Sequence, residues 1–145
     1  GNRFYAARNM VPMAKRKAAL DFYLDNPIDG ASPEAIVRAL ARLAKGELLS
    51  PASTRLILGI MSRTSSGPNR MKAGVPAGWR FLHKTGTGQI LSPVSTGYND
   101  IGIMTAPDGT RYALAIMMGS TTASIPQRMA FMQFVSRTTA TYHDQ

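Results

Sequence analysis

The apolar residues of this chain change their spacing near its middle, and this change constrains the fold more than any other feature. Between residues 32 and 62 they recur every three to four positions, as on the buried side of an α-helix, and after residue 78 they alternate as on a β-strand. The connecting residues 62–78 are rich in Ser, Gly and Pro, which is typical of a loop. The sequence therefore predicts an α+β fold, with helices first and a sheet after them.

Two helices in the first half have clear start signals. Ser32 and Ser50 are candidate N-caps, and each is followed by a proline at the first helical position. Gly46 is a candidate C-cap of the first helix. The predicted buried faces comprise Ile36, Val37, Leu40 and Leu43 in the first helix and Leu56, Ile57, Ile60 and Met61 in the second. Residues 1–30 are otherwise irregular in pattern, with one short helix expected at about 14–24.

The second half predicts three strands and a final helix. The strands are expected at residues 79–84, 98–105 and 111–119, with Trp79 as a buried anchor where the first begins. The turn sequence Pro107–Thr110 predicts an antiparallel hairpin between the last two strands. Ser124 and Pro126 begin a helix that carries Met129, Met132 and Val135 on one face. This order predicts an antiparallel three-strand sheet with a helix across one face.

The end of the first predicted strand carries the chain's most distinctive tripeptide, Lys84-Thr85-Gly86, followed by Thr87 and Gly88. A strand that ends in this way presents an ammonium, a hydroxyl and free backbone N–H groups at the edge of a sheet. These groups can bind the carboxylate and the carbonyl oxygen of a small acylating substrate. A dinucleotide-binding loop is excluded because its third glycine would fall at Leu91.

Other segments, in order along about residues 26–135, resemble those of class A serine β-lactamases, a family that also has Lys-Thr-Gly. The matching segments are Ser32–Ala35, Gly46–Ser50, Ser66–Arg70, Gly74–Trp79, Asn99–Ile103 and Pro107–Gly109. The resemblance implies a complete fold with an all-α lobe, a sheet lobe flanked by helices, and the site between them. Residues 1–62 would belong to the α lobe, with the Ω-loop-like region, and residues 63–145 to the sheet lobe.

The resemblance also implies roles for the residues around the tripeptide. Lys84 would lie beside the nucleophile and favour an anionic substrate, and Thr85 would bind the substrate carboxylate. The backbone N–H of Thr87 would form half of the oxyanion hole. Gly86 and Gly88 would contribute backbone to the substrate site.

Arg70 is a further candidate for binding the substrate carboxylate. Many class A enzymes place an arginine on the strand next to Lys-Thr-Gly, at the position that Tyr98 matches here. Members without it often carry an arginine in the preceding loop, fourteen residues before the lysine, which is the spacing between Arg70 and Lys84. A guanidinium can bind a carboxylate bidentately, so this exchange is chemically reasonable.

Three elements of the family pattern are absent from this sequence. No serine has a lysine three residues later, no Ser-Asp-Asn occurs, and no glutamate precedes Glu34. The only carboxylates before it are Asp21, Asp25 and Asp29. The chain thus resembles the C-terminal part of a longer hydrolase, which would act on β-lactam-like small molecules in the periplasm or outside the cell. We expect it to be inactive without the N-terminal half, and to need no cofactor.

Other functions remain open at this stage: a penicillin-binding or esterase-like relative, a non-catalytic binding module, or a basic nucleic-acid-binding module. The hypothesis of a nucleic-acid-binding module rests on a net charge of +9 and on a stretch without acids at the start of the chain. That stretch holds Arg3, Arg8, Lys15, Arg16 and Lys17. No nucleic-acid-binding motif accompanies it, so we expect neither nucleic acid nor membrane as a partner.

A metal site is not expected from this sequence. It has no cysteine, and its two histidines, His83 and His143, lie far apart, and we expect no acids close to them in the fold.

Overall fold

The computed structural model describes residues 2–145, apart from the side chain of Asn2, as two compact units divided after Gly30. The first unit contains helices α1 (Asn2–Met10) and α2 (Met13–Asp25). Helix α2 confirms the helix expected at 14–24, whereas α1 lies where irregular chain was expected. The apolar residues of α1 do not form a clear stripe on one side of the helix, so periodicity could not have detected it, and no residue from 3 to 30 is buried.

The second unit, residues 31–145, begins with helices α3 (Pro33–Lys45) and α4 (Pro51–Ser62). Both start as predicted, because Ser32 Oγ accepts a hydrogen bond from Ala35 N (3.1 Å) and Ser50 Oγ accepts one from Ser53 N (3.2 Å). Gly46 ends α3 with φ +77°, a left-handed conformation that favours glycine. A first core cluster then forms between these helices and the sheet from Leu40, Leu43, Met61 and Ile103.

The predicted buried face of α4 is wrong in most of its members. Leu56 and Ile60 are 61% and 53% exposed, Ile57 is also exposed, and only Met61 of the four is buried. Within residues 31–145, α4 packs mainly on the first strand of the sheet. Because that contact covers one narrow side of the helix, the rest of its apolar stripe stays open to solvent.

The sheet is antiparallel and is centred on one long strand. Its strands are β1 (Arg80–Gly86), β2 (Ile90–Leu91), β3 (Val94–Thr105) and β4 (Arg111–Thr121). Strands β1 and β2 pair with successive parts of one edge of β3, and β4 pairs with the other edge. The three predicted strands are present, but β3 begins earlier than expected. The sequence missed β2 and this early part of β3 because Gly97, at φ +59°, interrupts the alternating pattern.

The predicted turn joins β3 to β4. The carboxylate of Asp108 accepts hydrogen bonds from Thr110 N (2.8 Å) and Thr110 Oγ1 (3.0 Å). These two bonds, with a smaller contribution from His143, hold the pKa of Asp108 below its usual value. The turn therefore closes the hairpin with local contacts alone, which is why the sequence could predict it.

Helix α5 (Ile125–His143) packs against a short 3₁₀ helix at Met71–Gly74, and its Met132 packs against Tyr98 and Ile116 of the sheet. A capping box between Ser124 and Gln127 begins it. Its buried side chains are Arg128, Met132, Ser136 and Ala140. Of the apolar face predicted from Met129, Met132 and Val135, only Met132 is fully buried, and the other two are half-buried.

A second core cluster joins α5, the 3₁₀ helix and the sheet through Met71, Met132, Tyr98 and Ile116. Trp79, predicted as a buried anchor, is half-buried and contacts Tyr112 and His143 edge-on or tilted. Among the described helices, none combines the length and apolar composition needed to cross a membrane.

Candidate active site

The Lys-Thr-Gly tripeptide forms the last three residues of β1, as the sequence predicts. Lys84 is exposed, and its Nζ donates a hydrogen bond to the carbonyl oxygen of Thr85. Thr85 and Gly86 are half-buried and pair with Asp100 and Asn99 on β3. The ammonium group of Lys84 therefore lies on the protein surface, near the end of β1.

The loop before the 3₁₀ helix runs along this end of β1. Thr64 Oγ1 donates to the carbonyl oxygen of His83 (2.6 Å), and Ser66 Oγ lies 2.6 Å from Thr85 Oγ1. Gly67 lies so close that a Cβ added to it would approach Thr85 Cγ2 to 2.7 Å. The loop therefore places a second hydroxyl, from Ser66, directly beside that of Thr85. Sequence reasoning did not single out Ser66, because no local pattern connects it with β1.

Arg70 is buried, with 7% of its surface exposed, and it contacts the other end of the tripeptide. Its Nη1 donates to the carbonyl oxygens of Gly86 (2.8 Å) and Asn99 (2.6 Å), and its Nη2 donates to Thr87 Oγ1 (2.5 Å). Its guanidinium also lies 3.9 Å from the centre of the Tyr98 ring. The structure thus brings Arg70 to Tyr98, and three guanidinium N–H groups connect the end of β1 and Thr87 to Asn99 in the middle of β3.

Thr87 and Gly88 follow β1 as a close turn against β3. Gly88 N donates to the carbonyl oxygen of Thr96 (3.0 Å), and a Cβ on Gly88 would come within 2.6 Å of Thr96 Oγ1. Only glycine fits this approach. Within residues 2–145, the backbone N–H of Thr87 donates to no protein acceptor. It is therefore free to bind an oxygen of a ligand.

A buried histidine and aspartate lie directly behind the tripeptide. His83 Nδ1 is 2.9 Å from Asp100 Oδ1, and Asp100 Oδ2 accepts a hydrogen bond from Met71 N (3.2 Å). Their side chains are 1% and 0% exposed. His83 Nε2 has no partner among the described residues. The pair ties β1 to β3 and to the 3₁₀ helix that follows Arg70.

The sequence-based view that no acid lies near either histidine is wrong in three dimensions. Asp100 lies opposite Thr85 in the β1–β3 register, diagonal to His83, and Asp108 Oδ2 is 3.8 Å from His143 Nε2. The long connection between β1 and β3 hides this register from the sequence. Across residues 2–145, no cluster of three or more His, Cys, Asp or Glu could hold a metal ion.

A second buried arginine, Arg128, was not predicted at all. Its Nε donates to the carbonyl oxygen of Ala123 (2.7 Å), its Nη2 donates to Ser95 Oγ (3.0 Å), and its guanidinium is 5.1 Å from the centre of the Tyr98 ring. Tyr98 is thus in contact with two guanidinium groups. Within the described part of the chain, neither arginine forms an ion pair with a carboxylate.

Two of the three carboxylates that precede Glu34 have partners within the first unit. Asp21 pairs with Lys17 (2.7 Å), and Asp29 accepts a hydrogen bond from Tyr23 Oη (2.7 Å). The latter bond raises the pKa of Tyr23.

Comparison with known proteins identifies the family. Residues 5–143 match the model of the beta-lactamase enzyme family. A beta-lactamase from Mycobacterium tuberculosis (strain ATCC 25177 / H37Ra) is 36% identical over 89 residues, which are 61% of this chain and 27% of that protein. The extended-spectrum beta-lactamase PER-1 from Pseudomonas aeruginosa is 31% identical over 107 residues, which are 74% of this chain and 35% of that protein.

Solved structures agree with these relatives. The TLA-3 extended-spectrum beta-lactamase superposes with a TM-score of 0.75 at 28% identity, over 79% of this chain and 42% of that one. PBP-A, one variant of which was solved as an acyl-enzyme complex with penicillin G, superposes with a TM-score of 0.65 at 30% identity, over 79% of this chain and 40% of that one. The chain spans between about a quarter and two fifths of the length of these proteins. The α+β fold and the resemblance to class A serine β-lactamases are therefore confirmed, and the chain belongs to the beta-lactamase enzyme family.

Proposed function

We propose that this chain supplies the Lys-Thr-Gly side of the active site in a class A β-lactamase-like serine hydrolase. The observation that carries the proposal is the end of β1. There an ammonium, two threonine hydroxyls and a backbone N–H without a protein partner lie within one short stretch, Lys84–Thr87. Such a group of donors suits an anionic acyl compound, and the ring carboxylate of a β-lactam supplies the anion.

Binding would use these groups in a defined way. Thr85 and Thr87 donate their hydroxyl protons to the carboxylate, while Lys84 adds a positive charge in the crevice. Gly86 and Gly88 leave the backbone here without side chains that could hinder a ligand, and a side chain at Gly88 would also crowd Thr96 on β3. Arg70 contributes its charge from beneath Thr87, to which it is already hydrogen-bonded.

The reaction would be an acyl transfer. A serine hydroxyl from the part of the site that this chain lacks attacks the β-lactam carbonyl, so that a C–O bond forms and the ring C–N bond breaks. The proton of that serine passes to the ring nitrogen. The N–H of Thr87 provides one of two hydrogen bonds to the developing oxyanion, and removal of one such donor typically costs ~3 kcal/mol of transition-state stabilisation.

The second step, release by water, lacks its usual base in this sequence. No glutamate precedes Glu34, and Asp29 is engaged by Tyr23. Release from the acyl-enzyme would then be slow or use another base. A penicillin-binding function is therefore the second candidate, and the likeness to PBP-A, a variant of which was solved as an acyl-enzyme complex with penicillin G, favours it.

The partner of the chain would be the N-terminal half of the same kind of protein. Two surfaces of residues 31–145 support this. One is the exposed apolar side of α4, and the other is an open cleft of about 400 Å³ between β4 and α5, lined by side chains that include Tyr112, Leu114, Phe134 and Tyr142. Exposed apolar surfaces of this kind are usually covered by another part of the protein or by a partner. The lobe division at residues 62 and 63 and a periplasmic or secreted location belong to the same proposal.

The first experiment tests whether this chain needs the other half. The purified 145-residue protein should not hydrolyse a chromogenic cephalosporin, because it has no Ser-x-x-Lys nucleophile. Turnover that Lys84→Ala abolishes would overturn this requirement. The complete protein, obtained by extending the reading frame upstream of Asn2, should turn over the same substrate, and a complete protein that is acylated but does not release the product would favour the penicillin-binding alternative.

The second experiment tests the role of Arg70 in the complete protein. Arg70→Ala should lower kcat/KM roughly 10- to 150-fold for substrates with the ring carboxylate, since a charged hydrogen bond is worth about 1.5–3 kcal/mol. A neutral ester substrate should be nearly unaffected. Equal losses on both substrates would mean that Arg70 only holds the carbonyl groups of Gly86 and Asn99.

A further inference from the structure

Ser66 occupies a position at the candidate site that no sequence motif assigns. Its Oγ lies 2.6 Å from Thr85 Oγ1, a short and well-placed distance for two hydroxyl groups. It makes no other hydrogen bond to the described residues, and neither does Thr85 Oγ1. Each hydroxyl has one proton, so one of the two protons fills the contact between them and the other is available to a ligand.

Thr87 has the same arrangement with a different partner. Its Oγ1 accepts a hydrogen bond from Arg70 Nη2 (2.5 Å), and its own proton is donated to no described residue. A guanidinium can only donate, so the proton of Thr87 must point elsewhere. Each of the two threonine hydroxyl groups thus has one hydrogen-bond partner on the protein. The partner of Thr85 is the neutral Ser66, and the partner of Thr87 is the charged Arg70.

We propose that Ser66 is a positioning residue for anion binding, which sets the direction of the Thr85 hydroxyl. When a carboxylate binds, Ser66 donates to Thr85 Oγ1 and Thr85 donates to the carboxylate. Two neighbouring hydroxyl groups then present their protons to the same anion, with Lys84 beside them. The inference rests on the proposed function, because it names what orients one donor of that carboxylate site.

Loss of the Ser66 hydroxyl would leave Thr85 without a donor behind it. Its proton could then turn toward other acceptors, and a ligand would have to reorient it. Since a neutral hydrogen bond contributes modestly in water, Ser66→Ala should weaken carboxylate binding roughly 3- to 10-fold. The fold should not change, because Ser66 is exposed.

The test is an NMR titration of the 145-residue chain with benzylpenicillin, which this chain should bind without opening. Three variants are compared: Ser66→Ala, Ser66→Thr, which keeps a hydroxyl, and Ser65→Ala, which changes an exposed neighbour without a hydrogen bond. Ser66→Thr and Ser65→Ala should bind like the parent chain. Ser66→Ala should raise Kd for benzylpenicillin 3- to 10-fold and leave Kd for its methyl ester, which lacks the carboxylate, unchanged.

The outcomes separate this inference from the proposed function. In one outcome the parent chain prefers benzylpenicillin to its methyl ester, and Ser66→Ala binds benzylpenicillin as tightly as the parent chain does. The carboxylate site is then supported, but the positioning role of Ser66 is refuted. If the parent chain shows no such preference, the carboxylate site itself fails and the role of Ser66 falls with it. A loss of affinity accompanied by a lower unfolding midpoint or equal for both ligands would assign Ser66 a structural role only.

Discussion

Residues 2–30 and residues 31–145 are stabilised in different ways. The first unit has two helices and five basic residues, the last of which is Lys17, and no side chain from residue 3 to residue 30 is buried. Its ion pair between Lys17 and Asp21 is exposed, with side chains 68% and 55% accessible. The second unit has two core clusters and a fully buried aspartate that bonds to both a strand partner and the 3₁₀ helix.

This difference indicates where stability and function reside. Burial of apolar surface and of satisfied polar groups stabilises a fold, whereas exposed ion pairs contribute little. The site at the end of β1 belongs to the unit that has its own core. The basic helices carry charge without a core of their own, so their charge is better explained by solvation than by a site.

The comparison of the two units predicts that the largest change in the free energy of unfolding comes from the loss of one aspartate, Asp100. Asp100→Ala leaves His83 Nδ1 and Met71 N buried without a partner, so we expect the free energy of unfolding to fall by about 3–5 kcal/mol. Asp21→Ala, which removes the exposed pair of the first unit, should change it by roughly 0.5 kcal/mol or less. Urea denaturation of the two variants measures both values, and similar losses would remove the distinction between the units.

A smaller effect is expected where the 3₁₀ helix meets α5. A Cβ on Gly74 would come within 2.3 Å of the carbonyl oxygen of Gln133, a backbone atom that cannot turn aside. Gly74→Ala should therefore destabilise the chain by about 1–3 kcal/mol. Gly119→Ala is the matched control, since a Cβ there meets nothing within 4 Å. If Gly74→Ala left the free energy of unfolding unchanged, α5 would be able to move away from the 3₁₀ helix at little cost.

Removal of residues 1–30 should have a still smaller effect. Among residues 3–145, every buried residue lies in 31–145, so the shortened chain should unfold cooperatively with a free energy of unfolding within about 1 kcal/mol of the parent. Thermal unfolding followed by near-UV circular dichroism, which reports on Trp79, measures this. Loss of the cooperative transition would show that the two basic helices are part of the core after all.

The smallest effect concerns nucleic acid. Because the cations of residues 3–17 are on exposed helices without a recognition motif, binding to duplex DNA should be weak and should vanish by about 0.2 M salt. Fluorescence anisotropy of a labelled duplex tests this, with the shortened chain as the control. Sequence-selective binding that persists at that salt concentration would favour the basic-module reading instead.

Much of the local structure could be predicted because its causes are local. Ser32, Ser50 and Gly46 cap helices through contacts within a few residues, and Asp108 closes its turn through Thr110. The same holds for Lys84-Thr85-Gly86 at the end of β1. The buried faces of α4 and α5 were predicted less well, since periodicity shows which side of a helix is apolar but not how much of that side a neighbour covers.

The sequence by itself determined the α+β order, the capped helices, the hairpin and the place of the Lys-Thr-Gly tripeptide, because each depends on contacts between close neighbours in the chain. Only the tertiary structure decided what stands behind that tripeptide. The contacts of Ser66 with Thr85, of Arg70 with Thr87 and of Asp100 with His83 join residues from different elements. They depend on the β1–β3 register and on the path of the loop before the 3₁₀ helix, and neither of these leaves a periodic signal in the sequence.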